Sequence, residues 1–300
     1  MMQRRTLVLG GSGMLGHKLL QVLGQRHAVA ATVRDPSAWS RHPLFGDRDR
    51  AIGGVEATVP ETVAAAMDTV RPEVAVNCIG IVKQREAAAD AARTRLVNSL
   101  FPHLLARLCG DRGCRLIHLS TDCVFSGLQG GYTEDDEPDP VDLYGRSKLL
   151  GEVTGEGCLT LRTSMIGREL AGQAGLLEWF ISRRGAPVNG FRNAVFSGLT
   201  TSALARVIAA VVSDHSDLEG LLHVASEPIS KHHLLLRINH ALNLGITVDP
   251  VAEPVCDRSL DGSRFAAATG IAVPSWDSMI EGLATDPTPY DEWRRHDEAT

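Results

Sequence analysis

The chain has 300 residues, 44% hydrophobic and 22% charged, which suits one full-sized core with a smaller lobe beside it and excludes a disordered or fibrous protein. A formal net charge of -6, with no block of lysines or arginines, offers no general basic field, so no nucleic-acid partner is expected. The longest apolar runs, Val74 to Val82 and Leu204 to Val212, fall short of the roughly 20 residues a bilayer span needs. The apolar stretch after Arg4 and Arg5 is too short for a secretory signal, and the expectation is a cytoplasmic protein with no membrane partner. Six cysteines (Cys78, Cys109, Cys114, Cys123, Cys158, Cys256) form no CxxC pair and have no histidines at zinc-ligand spacing; they read as buried thiols, and no metal site is expected.

Thr6–Leu9 predicts a buried strand, and Leu15, Leu19, Val22 and Leu23 then recur at helical spacing. Between them lies Gly10-Gly11-Ser12-Gly13-Met14-Leu15-Gly16, with Gly10, Gly13 and Gly16 at the first, fourth and seventh places. Glycines there permit a tight turn and let the backbone approach a pyrophosphate, whose charge meets free N–H groups and the positive end of the helix dipole. Such a loop can also be a mere turn, and its spacing differs from GxGxxG; its place between strand and helix favours the cofactor cradle, Ser12, Met14 and Leu15 included. The next strand, Ala28–Val33, runs into Arg34-Asp35-Pro36, where an adenosine ribose would lie. Arg34 suits a 2′-phosphate and Asp35 a 2′-hydroxyl. Because Arg34 comes first and Pro36 constrains Asp35, NADP(H) is favoured, with NAD(H) as the alternative.

Further buried strands are predicted at Val74–Ile79, Leu116–Leu119 and Leu159–Arg162, with helical spacing at Val97, Phe101, Leu104 and Leu108. Strands alternating with helices predict an α/β, doubly wound parallel sheet. The Leu116 strand runs into Ser120-Thr121-Asp122, and Tyr144 and Lys148 follow four residues apart, on one face of a helix. A phenol near pKa 10 is a poor proton shuttle until a neighbouring cation lowers that value, while Thr121 or Ser120 supplies a hydroxyl to orient a carbonyl. After Thr163 the pattern loosens around Gly185-Ala186-Pro187, then gives a helix through Leu204, Val207, Ile208, Val211 and Val212 and another through Trp276, Met279, Ile280 and Leu283. Glu134-Asp135-Asp136-Glu137 lies in a proline-rich loop, His232-His233 reads as exposed, and the last dozen residues read as a loose polar tail.

Taken in order, the Gly10 to Gly16 loop, Asn77-Cys78-Ile79-Gly80, Asn98, Leu119 to Gly127, Tyr144 to Glu152 and Leu161-Arg162-Thr163 resemble the extended short-chain dehydrogenase/reductase family, and within it the dTDP-4-dehydrorhamnose reductase-like branch. The likeness spans about the first 165 residues and, more weakly, continues to about residue 226. It implies a Rossmann-type domain over 1–165 with 195–226 returning to it, a smaller, partly interleaved substrate lobe from 166–194 and 227–286, and a tail from 287–300. By that similarity Thr121 orients the carbonyl, Tyr144 is the general acid, and Lys148 holds the nicotinamide ribose and tunes Tyr144, while Cys78, Ile79 and Gly80 line the cofactor. The sequence departs from the family at Ile81 to Arg85, which lack the usual small residues, and at Gly54-Val55-Glu56, where an adenine-contacting Asp is common. The implied activity is NADPH-dependent reduction of a keto-sugar nucleotide of the 4-keto-6-deoxy type. Epimerisation is an alternative, and an idle NADP-binding regulatory subunit is another; dehydration is disfavoured because Cys123 follows Asp122 where dehydratases carry a glutamate. Lys83, Arg85, Arg192 and Arg258 are nominated for the substrate, and a homo-oligomer is compatible with the sequence.

Overall fold

Strand β1 (Arg5–Leu9) is buried along Thr6 to Leu9, as a strand covered on both faces must be. This computed structural model describes residues 3–39, 42–45, 50–82 and 90–298. After β1 come α1 (Gly16–Leu23), β2 (Ala28–Val33), α2 (Pro36–Trp39), β3 (Ala51–Gly53), α3 (Pro60–Val70) and β4 (Val74–Asn77). They are followed by α4 (Ala91–Arg95), a π-helical stretch over Leu96–Leu100, α5 (Phe101–Gly110), β5 (Arg115–Thr121), a 3-10 turn over Asp122–Val124, α6 (Leu143–Leu149) and β6 (Cys158–Thr163). The remainder comprises β7 (Met165–Ile166), α7 (Leu176–Ile181), β8 (Val188–Phe191), β9 (Ala194–Phe196), β10 (Leu199–Thr200), α8 (Thr201–Asp214), β11 (Gly220–His223), β12 (Ile229–Ser230) and α9 (Lys231–Ala241), then β13 (Val248–Val251), β14 (Cys256–Asp257), α10 (Ser263–Thr269), α11 (Trp276–Ala284) and α12 (Tyr290–Glu298).

Seven strands form one parallel sheet in the order β11-β6-β5-β4-β1-β2-β3. The sheet is α/β and doubly wound, and its order reverses between β1 and β4, so a crevice opens at the carboxyl ends of those two strands. Alternating residues feed two cores. Val8, Ala31, Val76, Ile117 and Leu161 join α1 and α8 on one face. Leu7, Leu9, Ala75 and Leu116 join Val63, Met67, Phe101 and Leu105 of α3 and α5 on the other. The three-residue β3 carries too little pattern to be read from sequence.

Three local expectations change. The fourth strand ends at Asn77, not Ile79, because the Asn77 side chain accepts from Ile79 N at 3.1 Å and pairs with His118 Nδ1 at 3.1 Å, turning the chain out of the sheet. His232 is half-buried, packed so closely on Gly190 that a Cβ there would stand 2.7 Å from its ring. The polar C-terminus is not loose: α12 occupies it, and Tyr290 is 3% exposed inside the main core.

Candidate active site

The loop after β1 is shaped by glycine. Gly10 lies at φ +83°, and a Cβ on Gly16 would stand 2.2 Å from the Gly10 carbonyl oxygen, so α1 can start this close to β1 only without a side chain. Gly10 N donates to Thr32 Oγ1 at 3.1 Å and Gly11 N to Thr32 O at 2.8 Å, which ties the loop to β2. No side chain caps α1. Its first N–H groups are thus left without a side-chain partner, the kind of donor set that suits a pyrophosphate. Ser12, Gly13 and Met14 are half-buried along the loop, whereas Leu15 sends its side chain into the core and leaves only its backbone to this role.

At the end of β2 Arg34 is exposed and, among the described residues, has no partner. Asp35 is engaged: its Oδ1 accepts from Ser37 N at 2.9 Å and from Ser37 Oγ at 2.7 Å, opening α2. The ribose-recognising choice left open by the sequence thus has a structural asymmetry, with a free cation beside an occupied carboxylate.

Thr121 ends β5, and its Oγ1 accepts from Cys123 N at 3.1 Å to start the 3-10 turn. Asp142 caps α6 by accepting from Gly145 N at 2.7 Å. A Cβ on Gly145 would stand 2.1 Å from the Cys123 carbonyl, and one on Gly151 would stand 1.9 Å from that of Asn98. These two glycines let α6 lie directly on the turn and on the π-helical stretch, which brings Tyr144 to Thr121. Asn98, in that stretch, accepts from Ile81 N at 2.8 Å and donates to Ile81 O at 2.9 Å and to Ser147 Oγ at 3.1 Å. It clamps the chain after β4 to α6, so Cys78, Ile79 and Gly80 stay beside that helix; Gly80 would place a Cβ 3.6 Å from Asn98 Oδ1.

Burial pushes the Tyr144 phenol upward, with the neighbouring Cys123, Asp122 and Asp142 adding to the rise and the Thr121 hydroxyl opposing it. This is opposite to the depression expected from Lys148: burial is the leading cause, and the Lys148 ammonium is engaged elsewhere, donating to Leu119 O at 2.6 Å. Burial in turn lowers Lys148 to about 8, against the pull of Glu152 and Cys78. Tyr144 therefore keeps its proton at neutral pH, as an acid must before it donates, and its hydroxyl partner is in place. Burial also raises the Cys78 thiol, and Lys148 pulls it back, so the residue after β4 lies within electrostatic reach of that lysine.

Both candidate orienting hydroxyls donate to carboxylates, Ser120 Oγ to Glu152 Oε1 at 2.6 Å and Thr121 Oγ1 to Asp122 Oδ1 at a longer 3.2 Å, and it is Thr121 that lies against Tyr144. Arg162 holds Glu152 with a two-pronged pair, both prongs 2.8 Å, and stacks over Phe125 at 5.2 Å. Glu152 and Arg162 thus fix the end of β5 from beneath; sequence reading quoted both inside motifs without giving either a task. Arg258 reaches the same turn, donating to Phe125 O at 2.9 Å with its guanidinium 3.8 Å from Cys123 Sγ. Arg192 stands apart, exposed in the turn between β8 and β9. Lys83 and Arg85 lie outside the described residues. Cys78, Cys123 and Cys256 are half-exposed, so only Cys109, Cys114 and Cys158 match the buried thiols expected, and among the described residues no cluster suits a metal ion. No described helix is long and apolar enough to cross a membrane.

The RmlD substrate binding domain family model matches residues 4–285. A dTDP-4-keto-6-deoxy-D-glucose reductase of Streptomyces niveus is 37% identical over 153 residues, 50% of this chain and 47% of that protein. A protein of Streptomyces antibioticus named a probable dTDP-4,6-dihydroxy-2-methyloxan-3-one 4-ketoreductase is 32% identical over 230 residues, 74% of this chain and 71% of its own length. With most of the first such relatives the match spans about half their length. The crystal structure of a hypothetical dTDP-4-dehydrorhamnose reductase from Sulfolobus tokodaii superposes with a TM-score of 0.76 at 27% identity, covering 92% of this chain and 99% of that one. The glycine cradle, the Thr121 turn and the tyrosine–lysine helix thus occur in a chain that belongs to the RmlD substrate binding domain family, within the extended short-chain dehydrogenase/reductases.

Proposed function

We propose that this chain reduces the keto group of a nucleotide-activated sugar, of the 4-keto-6-deoxy type, with NADPH. The observation that carries the reading is the convergence of Thr121, Tyr144 and Lys148 at the end of β5, next to the loop that follows β4. Relatives named as reductases of dTDP-keto sugars support the substrate class. The N–H groups of the glycine loop that are not tied to Thr32 or Gly10 fit a pyrophosphate, and the free Arg34 beside the occupied Asp35 fits a 2′-phosphate, favouring NADP(H) over NAD(H). Bound there, NADPH supplies the hydride.

Every other part of the reaction falls to the chain's own groups. Thr121 and Tyr144 present two hydroxyls to one carbonyl oxygen, polarising it, and Tyr144 donates its proton to that oxygen as negative charge develops there. Lys148, its ammonium anchored on the Leu119 carbonyl, would hold the ribose. Cys123 follows Asp122 where a dehydratase carries a glutamate, which weighs against removal of water. Purified chain with NADPH and excess dTDP-4-keto-6-deoxy sugar tests the reading: one reduced cofactor oxidised per sugar reduced supports it. Interconversion of two sugar nucleotides with no net oxidation makes the chain an epimerase, and tight NADPH binding without turnover on any keto-sugar nucleotide makes it an idle subunit.

A further inference from the structure

The residues after the family match, 286–298, form a strap that touches three elements resting on the glycine loop. The most direct connection runs through His17 of α1. Its Nδ1 lies 2.9 Å from the Gly13 carbonyl oxygen, which can only accept, so Nδ1 carries the proton and donates. Its Nε2 is then an acceptor, and the Tyr290 hydroxyl, 2.8 Å away, donates to it. The Gly13 carbonyl thus sets the tautomer, and a strap residue satisfies the other nitrogen of a histidine that holds a carbonyl of the cofactor cradle. Tyr290 is itself fixed, 3% exposed and flanked by the Arg168 guanidinium at 4.8 Å and the Lys18 ammonium at 5.1 Å.

Two other contacts reach the loop from its sides. Trp293 packs on the His42 ring at 4.7 Å, His42 packs on Phe45 at 5.4 Å, and the Phe45 ring stands 3.4 Å from where a Cβ of Gly11 would be. Arg294 donates to the Glu169 carbonyl and pairs with Glu178 Oε2 at 2.9 Å. Glu169 Oε1 in turn accepts from Gly175 N at 2.6 Å, and a Cβ on Gly175 would lie 3.7 Å from Met14 Sδ. The strap thus holds Gly13 through His17, and its other contacts end on residues that neighbour Gly11 and Met14. The anchor is Asp286, whose carboxylate pairs with Lys18 Nζ at 2.6 Å with both side chains largely buried.

We propose that the C-terminal strap, acting through Tyr290 and His17, holds the glycine loop in the shape that receives the cofactor pyrophosphate, and so sets cofactor affinity rather than the rate of the chemical step. Tyr290 and His17 are positioning residues, and the inference rests on the NADP(H) reading of that loop. The physical basis is preorganisation: a loop already in its bound shape loses less conformational freedom when the ligand arrives.

Tyr290→Phe removes the donor to His17 Nε2 and keeps the packed ring. In the full chain it is expected to raise the NADPH dissociation constant, by calorimetric titration, about 3- to 10-fold, the effect of one neutral hydrogen bond. The turnover number at saturating NADPH stays within about twofold of wild type on the same basis, and amide hydrogen exchange at residues 10–16, measured without cofactor, becomes faster. A chain ending at Thr285 is expected to bind NADPH still more weakly; where it fails to fold, Tyr290→Phe alone decides. Unchanged affinity and unchanged exchange in Tyr290→Phe, with only a lower melting temperature, overturn the proposal and leave the strap a stabilising staple. Should the wild-type chain bind neither NADPH nor NADH, the cofactor reading fails by itself, and the exchange comparison at residues 10–16 still decides whether the strap shapes the loop.

Discussion

The helix carrying Tyr144 is joined to its surroundings by contacts between residues 29 and 49 positions apart, Lys148 to Leu119 and Ser147 to Asn98, whereas the strap joins residues 268 and 273 positions apart, Lys18 to Asp286 and His17 to Tyr290. In the turn, approach is governed by what is missing: side chains at Gly145 and Gly151 would collide with backbone. In the strap, charged and polar side chains meet in a largely buried setting, Lys18 with Asp286 and Arg168 and Arg294 with Glu178. Close backbone packing sets a geometry and tolerates almost no change of volume. A buried ionic contact can lose one partner and keep its shape, but it then strands a charge.

The largest expected effect falls on the turn. Tyr144→Phe keeps the ring that α6 presents and removes the proton, so turnover should drop by about two to four orders of magnitude with NADPH affinity nearly unchanged. Steady-state kinetics beside a cofactor titration check this, and near-wild-type turnover would take Tyr144 out of the chemistry. The strap should answer in stability instead. Asp286→Ala leaves the Lys18 ammonium largely buried without its carboxylate, at a cost of about 3–5 kcal/mol in urea unfolding. A loss well under 1 kcal/mol would mean that Gln21 and Thr288, which also accept from Lys18, suffice to hold it.

A third measurement uses acid. Burial, the leading cause, holds His17 at about 4 instead of its ordinary 6.5. Below pH 6.5 the unfolded chain takes up a proton that the folded chain refuses, so this contribution to stability is complete above pH 6.5 and is lost as the pH falls towards 4. It amounts to on the order of 3 kcal/mol. The stability gap between wild type and His17→Gln should narrow over that window, and a constant gap would show that His17 titrates normally. The smallest effect concerns the outer end of the cofactor site. Arg34→Ala should weaken NADPH by about 1.5–3 kcal/mol and leave NADH nearly untouched. Equal losses for both cofactors would make Arg34 structural.

What was legible in the sequence follows the same division. The glycine loop, the Thr121 strand end and the tyrosine–lysine helix show in the sequence because each is local: strand, glycines and helix stand side by side, and four residues separate Tyr144 from Lys148. The direction of the Lys148 ammonium was not legible, since spacing gives a shared helix face but not the Leu119 carbonyl that captures it. Nor was the engagement of Ser120 by Glu152, or the arrival of Arg258 at the Cys123 turn, both of which depend on how segments apart in sequence lie side by side. The strap was read as loose because its polar residues carry no apolar periodicity; its partners, Lys18, Arg168 and Glu178, become visible only once the fold brings them together.

Hydride transfer itself tests the account most directly. With NADPH deuterated on the transferred position and a 4-keto-6-deoxy nucleotide sugar as substrate, the product is read by NMR. The account predicts one deuterium on the former carbonyl carbon for each cofactor oxidised, and its disappearance with Tyr144→Phe. Sugar interconverted with no deuterium retained and no net loss of NADPH would contradict it.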